Sequence, residues 1–268
     1  YLTSIEFLKR KLQMPAPHNQ FKTALKNGEI IIGCWLSLGD PLATEIAGTA
    51  GFDWLLIDGE HTPYDISRIR MQLMALEASS SHAAVRVPFS ETWILKQVLD
   101  AGAQTILVPM VETAEQANRL VNDVSYPPAG SRGVGYAGAR CSRFGEIIDY
   151  GTTADEQICL LVQVENCAGI AALDDILAVD RIDGVFIGPA DLSADMGFMG
   201  QIEHPEVQAV IKNAFSRIKA AGKAPGVLST TSDMTQDMID AGAQFVATGV
   251  DLQLLANSLR SLVTKWQR

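Results

Sequence analysis

Residues 50–61 read AGFDWLLIDGEH: an Ala-Gly pair, then an apolar run, then two acidic residues and a histidine near its end. The same pair precedes an apolar run at four places: Ala50-Gly51, Ala101-Gly102, Ala221-Gly222 and Ala241-Gly242. A glycine just beyond the last turn of a helix adopts the left-handed conformation that closes the helix. The repeat therefore predicts helices that end at these pairs and lead directly into buried strands.

Eight short runs fit such strands, and several are apolar without alternation, as is typical of parallel strands buried on both faces. We predict them at residues 31–35, 54–58, 83–87, 105–109, 159–164, 184–188, 225–228 and 245–248. Helix start signals lie between them: Asp40-Pro41, a capping box of Thr113 and Gln116, and His204-Pro205. This alternation leaves a closed barrel or an open doubly wound sheet. Eight near-equal units favour the α/β barrel, (β/α)8, known as the TIM barrel.

The chain has 268 residues, a length that one (β/α)8 barrel commonly occupies as a single domain. Since no linker or charge block divides it, we predict one barrel domain over residues 17–268 and an N-terminal extension over residues 1–16. Residues 126–145 form one long irregular segment, rich in glycine and arginine. We expect a mobile loop there that arches over the active site, with Arg140, Ser142 and Arg143 available for substrate or a neighbouring subunit.

The composition excludes several classes of partner. A formal net charge of −10 argues against nucleic acid. No apolar run is long enough to cross a membrane, and the first 13 residues lack the apolar core of a signal peptide. The four cysteines, Cys34, Cys141, Cys159 and Cys167, show no Cys-x-x-Cys spacing. We therefore expect a cytoplasmic protein whose cysteines are buried, reduced thiols.

Two carboxylates follow successive predicted strands. In a barrel, the residues after the strand C-termini form the active-site face, and Glu165 and Asp191 follow the fifth and sixth strands. Such a pair suits a hard divalent cation, which keeps several waters and leaves positions for a chelating substrate. The alternative is that the two acids only cap neighbouring loops.

A histidine and an arginine are the other candidates at this face. His61 follows the second strand and stands next to Glu60, which favours an acid/base role over a structural one. Arg86 lies in an apolar strand, where a guanidinium is costly unless it meets an anion. A buried structural ion pair is the other interpretation. Asp100, from the residues alone, would be a surface residue.

Four motifs carry a resemblance to a known family: residues 51–61, 126–130, 132–135 and 184–197. With them the chain resembles the HpcH/HpaI aldolase family of class II pyruvate aldolases over nearly all its length from Phe21, above all the 4-hydroxy-2-oxoheptanedioate aldolases. Relatives of these enzymes cleave keto-deoxy-glucarate and keto-deoxy-rhamnonate. The resemblance implies a TIM barrel of the phosphoenolpyruvate/pyruvate type.

The resemblance also implies roles for single residues. It gives metal ligands Glu165 and Asp191, a catalytic group of His61, Arg86 and Asp100, and substrate contacts Gln163, Gly188 and Ala190. Within this set Arg86 would face the enolate oxygen, and His61 would pair with Asp100. Backbone groups of Gly188 and Ala190 would face the pyruvate carboxylate. The implied cofactor is a divalent cation (Mg²⁺, Mn²⁺ or Co²⁺), and the implied assembly is a homo-oligomer, a hexamer. The chain departs from the family at Tyr136, where a small residue is expected, and in a shorter tail after Trp266.

The implied reaction is the reversible cleavage of a 4-hydroxy-2-oxo acid, 4-hydroxy-2-oxoheptanedioate, to pyruvate and an aldehyde, succinate semialdehyde. Aldolases of the other type form a Schiff base through a desolvated lysine, but no lysine falls at the C-terminal end of a predicted strand. One alternative is a keto-deoxy sugar acid aldolase. A second is an acyl-coenzyme A ester lyase, whose basic cleft an acidic chain disfavours. A third is a catalytically silent barrel, which would lack the residues named above.

Overall fold

The computed structural model of the chain describes residues 14–63 and 65–267. Strands β1 to β8 within these ranges are Ile31–Leu36, Trp54–Asp58, His82–Arg86, Thr105–Val108, Cys159–Val164, Gly184–Ile187, Ala224–Leu228 and Phe245–Val250. Helices α1 to α12 are Gln20–Lys26, Pro41–Gly48, Ile66–Ala75, Thr92–Asp100, Ala114–Val124, Tyr150–Gln157, Cys167–Ala171, Leu173–Leu177, Pro189–Asp195, Pro205–Ala220, Ser232–Asp240 and Asp251–Trp266.

The strands form one closed parallel barrel in the order β1 to β8, with β8 pairing back onto β1. The predicted α/β class and (β/α)8 barrel are confirmed, and each predicted strand overlaps an observed one. The strand carboxyl ends meet at one end of the barrel, here called the mouth. Register places Asp58 opposite Arg86 and Val164 opposite Ile187 at this end. Side chains that follow β2, β3, β5 and β6 therefore share one face.

The local signals in the sequence act as predicted. All four Ala-Gly glycines have positive φ, between 73° and 110°. Asp40 caps α2 by accepting from the N–H groups of Leu42 and Ala43, and Thr113 and Gln116 form the capping box of α5. These contacts satisfy backbone groups that a helix end leaves without partners. They fix where each helix begins and where the next strand starts.

The interior of the barrel is filled by aromatic rings. Trp54 packs edge-on against Phe21 and Phe245, with ring centroids 5.6 Å and 6.0 Å apart. Gly33 on the neighbouring strand gives the Trp54 ring its space, because a Cβ there would lie 2.2 Å from the indole. Phe21 belongs to α1, which therefore closes the end of the barrel opposite the mouth. The barrel is a packed core, and the polar residues that follow the strands lie at the mouth.

The segment of residues 126–145 differs from the expectation of a mobile loop over the active site. It contains two short 3-10 turns, Tyr136–Gly138 and Arg140–Ser142, and packs with α6 around a small apolar cluster. Arg140 donates to the carbonyl of Ala101, at the end of α4. Helices run antiparallel to the strands, so this helix end lies opposite the mouth. For a single chain the expectation of a loop over the active site is therefore wrong. The local sequence does not show against which end of the barrel this segment packs.

Three further expectations are answered in part. Cys34, Cys141 and Cys159 are buried free thiols as predicted, but Cys167 is exposed at the start of α7, where the prediction is wrong. The predicted extension, residues 1–16, lies outside the described residues except for its last three. Of these, Ala16 is buried and its N–H donates to Thr153 Oγ1 at 2.9 Å. No helix of the described ranges is long and apolar enough to span a membrane.

Candidate active site

Arg86 is held in a buried network of charges at the mouth. Its Nε and Nη2 donate to the two oxygens of Asp58 at 2.9 Å and 2.8 Å. Nη1 lies 2.8 Å from Glu60 Oε2, in an ion pair that is not aligned as a hydrogen bond. The guanidinium also lies 5.1 Å from the centre of the Trp35 ring. The structural ion pair that we weighed as an alternative is therefore present, and contact with an enolate oxygen stays a prediction.

Asp58 organises the turn after β2, a role that sequence reasoning did not assign. Its Oδ1 accepts from the N–H of Glu60 at 3.1 Å, and the N–H of His61 lies 3.5 Å away. One carboxylate thus fixes both the turn that carries His61 and the guanidinium on β3. The signal was available, since Asp58 and Arg86 end adjacent predicted strands. A buried charge needs a partner of opposite sign, and these two residues can each supply one to the other.

Glu165, which follows β5, is a deeply buried acid at the mouth, with 3% of the residue exposed. Its Oε1 accepts from the N–H of Met110 at 2.9 Å, and its Oε2 accepts from Gln163 Nε2. Met110 has a left-handed backbone, φ 55°, which is uncommon for a residue with a side chain. Burial raises the pKa of Glu165 to about 6, although both hydrogen bonds oppose the shift. A positive charge nearby would favour its ionised form.

Asp191 and Glu60 bring further negative charge to the same place. Asp191 is exposed in the first turn of α9. Burial raises the pKa of Glu60, Arg86 opposes this shift, and the charges of Asp58 and Asp191 add to it. The charges of Glu60 and Asp191 likewise contribute to the raised pKa of Glu165. Three carboxylates from three strand ends therefore repel one another across the mouth.

The oxygen atoms at the mouth fit a hard divalent cation. Buried Gln163 Oε1, on the residue that binds Glu165, has no hydrogen-bond partner in the described part of the chain. Such an orphaned oxygen, together with the carboxylates of Glu165 and Asp191, is the ligand type that Mg²⁺ and Mn²⁺ prefer. The described residues contain no group of three or more His, Cys, Asp or Glu side chains arranged to hold a metal. The cation would thus take two carboxylates and complete its shell with water or substrate.

Gly188 and Ala190 differ in what they offer. A Cβ on Gly188 would lie 2.7 Å from both the Cβ and Oε2 of Glu165, so glycine gives this carboxylate its space. The N–H of Gly188 donates to Val164 at 3.1 Å, and it is therefore not free to meet a substrate carboxylate. Ala190 is exposed at the mouth, at the start of α9. Its predicted substrate contact is sterically open.

His61 and Asp100 do not meet within one chain. His61 is exposed after β2, at the mouth. Asp100 is the last residue of α4, and it therefore lies at the opposite end of the barrel. Its Oδ1 accepts from Arg132 Nη2 at 2.8 Å. A pairing of these two residues would need a second copy of the chain, because each chain holds them on opposite faces.

Comparison with known proteins agrees with the fold. The sequence model described as HpcH/HpaI aldolase/citrate lyase matches residues 31–258. A hydroxypyruvate/pyruvate aldolase of Roseobacter denitrificans is 58% identical over 95% of this chain and 100% of its own length. A 4-hydroxy-2-oxo-heptane-1,7-dioate aldolase of Salmonella dublin is 50% identical over 92% of this chain and 94% of its own. The crystal structure of an HpcH/HpaI aldolase/citrate lyase family protein from Burkholderia cenocepacia superposes with a TM-score of 0.90, at 35% identity over 93% of this chain and all of that one.

The space beside Gly188 can be tested by a single methyl group. We expect Gly188→Ala to displace the Glu165 carboxylate, since the added Cβ would lie 2.7 Å from it. Mn²⁺ affinity, measured by isothermal titration calorimetry, should fall by about 10–100-fold, the usual effect of disturbing a ligand's support. Circular dichroism provides the control for folding. Unchanged Mn²⁺ binding by the folded variant would show that Glu165 does not need this space.

Proposed function

The chain belongs to the HpcH/HpaI aldolase/citrate lyase family, and from that premise we propose that it is a metal-dependent pyruvate aldolase. It is a carbon–carbon lyase that cleaves a 4-hydroxy-2-oxo acid reversibly into pyruvate and an aldehyde. The observation that carries the proposal is Glu165, buried beside Gln163 and facing the charges of Glu60 and Asp191. A buried carboxylate among other carboxylates calls for a cation.

The substrate proposal follows the names of the relatives. The Roseobacter enzyme is named for hydroxypyruvate and pyruvate, and the Salmonella enzyme for 4-hydroxy-2-oxo-heptane-1,7-dioate. We propose pyruvate or hydroxypyruvate as the donor, and 4-hydroxy-2-oxoheptanedioate, which releases succinate semialdehyde, as the first substrate to test. Nothing in the site favours a keto-deoxy sugar acid or an acyl-coenzyme A ester over it.

Glu165 and Asp191 would hold the cation, which supplies positive charge to the 2-keto oxygen as the enolate forms. Arg86 adds a second positive charge at the same oxygen. Its burial keeps water away, and Asp58 fixes its orientation through two hydrogen bonds. Gln163, with its unpartnered Oε1, would contact the pyruvate half of the substrate.

His61 would accept the proton of the 4-hydroxyl group as the carbon–carbon bond breaks. It lies at the mouth, is exposed, and is reached by solvent from outside the barrel. The family resemblance pairs it with Asp100, which lies at the other end of its own barrel. We therefore propose that the carboxylate comes from Asp100 of a second copy.

The last helix supports assembly. None of the residues of α12 is buried, although large apolar side chains occur throughout it. Those exposed by 49% or more are Leu252, Leu254, Leu255, Leu259, Leu262, Val263 and Trp266. An apolar helix face of this size usually marks a subunit contact. Together with the family resemblance, it supports a homo-oligomer, proposed as a hexamer.

Metal dependence is tested by removing the metal. Treatment with a chelator should abolish cleavage, and Mg²⁺, Mn²⁺ or Co²⁺ should restore it, because no lysine of the described residues lies at the C-terminal end of a strand, where it could form a Schiff base. Glu165→Gln should respond to none of these cations, whereas Glu115→Gln, on the exposed start of α5, should behave as the parent. Full activity in protein shown to be metal-free, or a covalent adduct trapped by borohydride with pyruvate, would overturn the metal mechanism.

The two halves of the mechanism separate when His61 is replaced. Oxaloacetate decarboxylation needs the enolate but no base at a 4-hydroxyl, whereas retro-aldol cleavage needs both. We expect His61→Asn to lower cleavage by about 10²–10⁴-fold and decarboxylation far less. Arg86→Lys should lower both, since Arg86 acts on the shared enolate. His18→Asn is the matched control. Equal loss of both activities in His61→Asn, at unchanged metal affinity, would exclude His61 as the base.

The shared site is tested by mixing two inactive variants. If His61 of one copy acts with Asp100 of another, subunit exchange between His61→Asn and Asp100→Asn should restore activity at about a quarter of the sites, as random assembly of a symmetric oligomer allows. Mixing His61→Asn with Arg86→Lys should restore none, because both residues belong to the same mouth. Light scattering reports the assembly. No recovery from the first mixture, with exchange demonstrated, would show that His61 of one copy does not act with Asp100 of another.

A further inference from the structure

Arg132 is a charged side chain with no exposure to solvent. Its side chain is 0% exposed. Nη2 donates a hydrogen bond to Asp100 Oδ1 at 2.8 Å. Nε and Nη1 have no hydrogen-bond partner in the described ranges. Burying a guanidinium this way costs several kcal/mol unless its charge is well paired. The position of Arg132 therefore needs an explanation beyond packing.

Among the described residues, Asp100 is the one carboxylate recorded near Arg132. The guanidinium stacks on Tyr126, 4.4 Å from the ring centre, within an apolar cluster that also contains Cys141 and Tyr150. Burial raises the pKa of both tyrosines and of the Cys141 thiol, so all three stay neutral at pH 7. The charge of Arg132 is thus offset by Asp100.

Asp100, in turn, lies where the helix dipole disfavours its negative charge. It is the C-terminal residue of α4, the negative end of the helix dipole. Its side chain is 26% exposed and lines a cleft of about 900 Å³ beside Met71, Met74 and Phe144. Oδ1 is tied to Arg132, whereas Oδ2 faces the backbone at Gly135, where a Cβ would lie 3.6 Å away. The carboxylate is thus held at one oxygen, and its side chain is in part exposed to the cleft.

The backbone fixes Arg132 before its side chain reaches Asp100. Its N–H donates to the carbonyl of Ser125 at 2.8 Å, and the N–H of Ser131 donates to Asn122 at 2.8 Å. Both acceptors lie at the end of α5. The contact therefore joins the ends of two rigid helices, α4 and α5, through one arginine. Such a support keeps a functional group within the small tolerance that catalysis needs.

We propose that Arg132 is a positioning residue, which holds the Asp100 carboxylate in the orientation that His61 of a second copy requires. The proposal rests on the pairing put forward under the proposed function. Arg132 touches neither the substrate nor the cation. It acts through Asp100, by fixing Oδ1 and leaving Oδ2 without a hydrogen bond among the described residues.

A double-mutant cycle tests this. We expect Arg132→Met and Asp100→Asn to lower retro-aldol kcat by similar factors, within about threefold, and the double variant to be no worse than Asp100→Asn alone, since residues that act as a unit are not additive. Oxaloacetate decarboxylation and Mn²⁺ affinity should change far less in all three. Arg217→Met, which removes another arginine–aspartate pair at 2.9 Å, is the matched control and should keep full activity.

The outcomes separate the two proposals. If Asp100→Asn cleaves as well as the parent, the proposed pairing fails and the positioning role fails with it. Suppose instead that Asp100→Asn is impaired, but that the double variant loses more cleavage than Asp100→Asn alone, or that Arg132→Met lowers decarboxylation as much as cleavage. Either result would show that Arg132 stabilises the fold and does not position Asp100. Should Arg132→Met not fold by circular dichroism, Arg132→Lys takes its place in the cycle. The lysine keeps the charge but loses the planar fork, so it should fold and still show the same non-additive loss of cleavage.

Discussion

A single buried guanidinium governs the geometry of the mouth. Arg86 has two hydrogen bonds to Asp58 and an ion pair with Glu60, all in surroundings that exclude most water. Removing Asp58 would take away both of these hydrogen bonds and leave the guanidinium, in a medium of low polarity, with only the ion pair to Glu60, which is destabilising. The requirement locks the ends of β2 and β3 together. It also sets the course of the turn that carries His61, because Asp58 binds the backbone of that turn.

The two ends of the barrel serve different purposes within the proposed chemistry. The mouth gathers carboxylates and one arginine, and the other end carries Asp100 at the terminus of α4. A carboxylate at the negative end of a helix is unfavourable unless a cation compensates. Arg132 compensates it from inside the protein, and it is supported by the backbone near the end of α5. In the proposed chemistry, Asp100 serves the mouth of a second copy.

Most of the fold follows from local sequence, and the site only in part. The left-handed glycines, the caps at Asp40 and Thr113, and unalternated apolar runs predict the eight strand–helix units, because each signal acts over a few residues. Candidates at the strand ends followed from barrel geometry alone. The burial of Arg132 and its contact with Asp100 did not, since both depend on how residues 126–145 pack against α4. The occupied N–H of Gly188 and the exposure of Cys167 likewise depend on tertiary contacts.

Met110 holds Glu165 in place through its backbone and not through its side chain. Its left-handed backbone directs an N–H, not a side-chain group, at the buried carboxylate of Glu165. Every amino acid except proline carries that N–H, so the identity of the side chain at this position is not constrained by the hydrogen bond. The Met110 side chain itself is 48% exposed. Position 110 can therefore accept a different exposed side chain, within the limits that a left-handed backbone sets, while the buried acid beneath keeps its place.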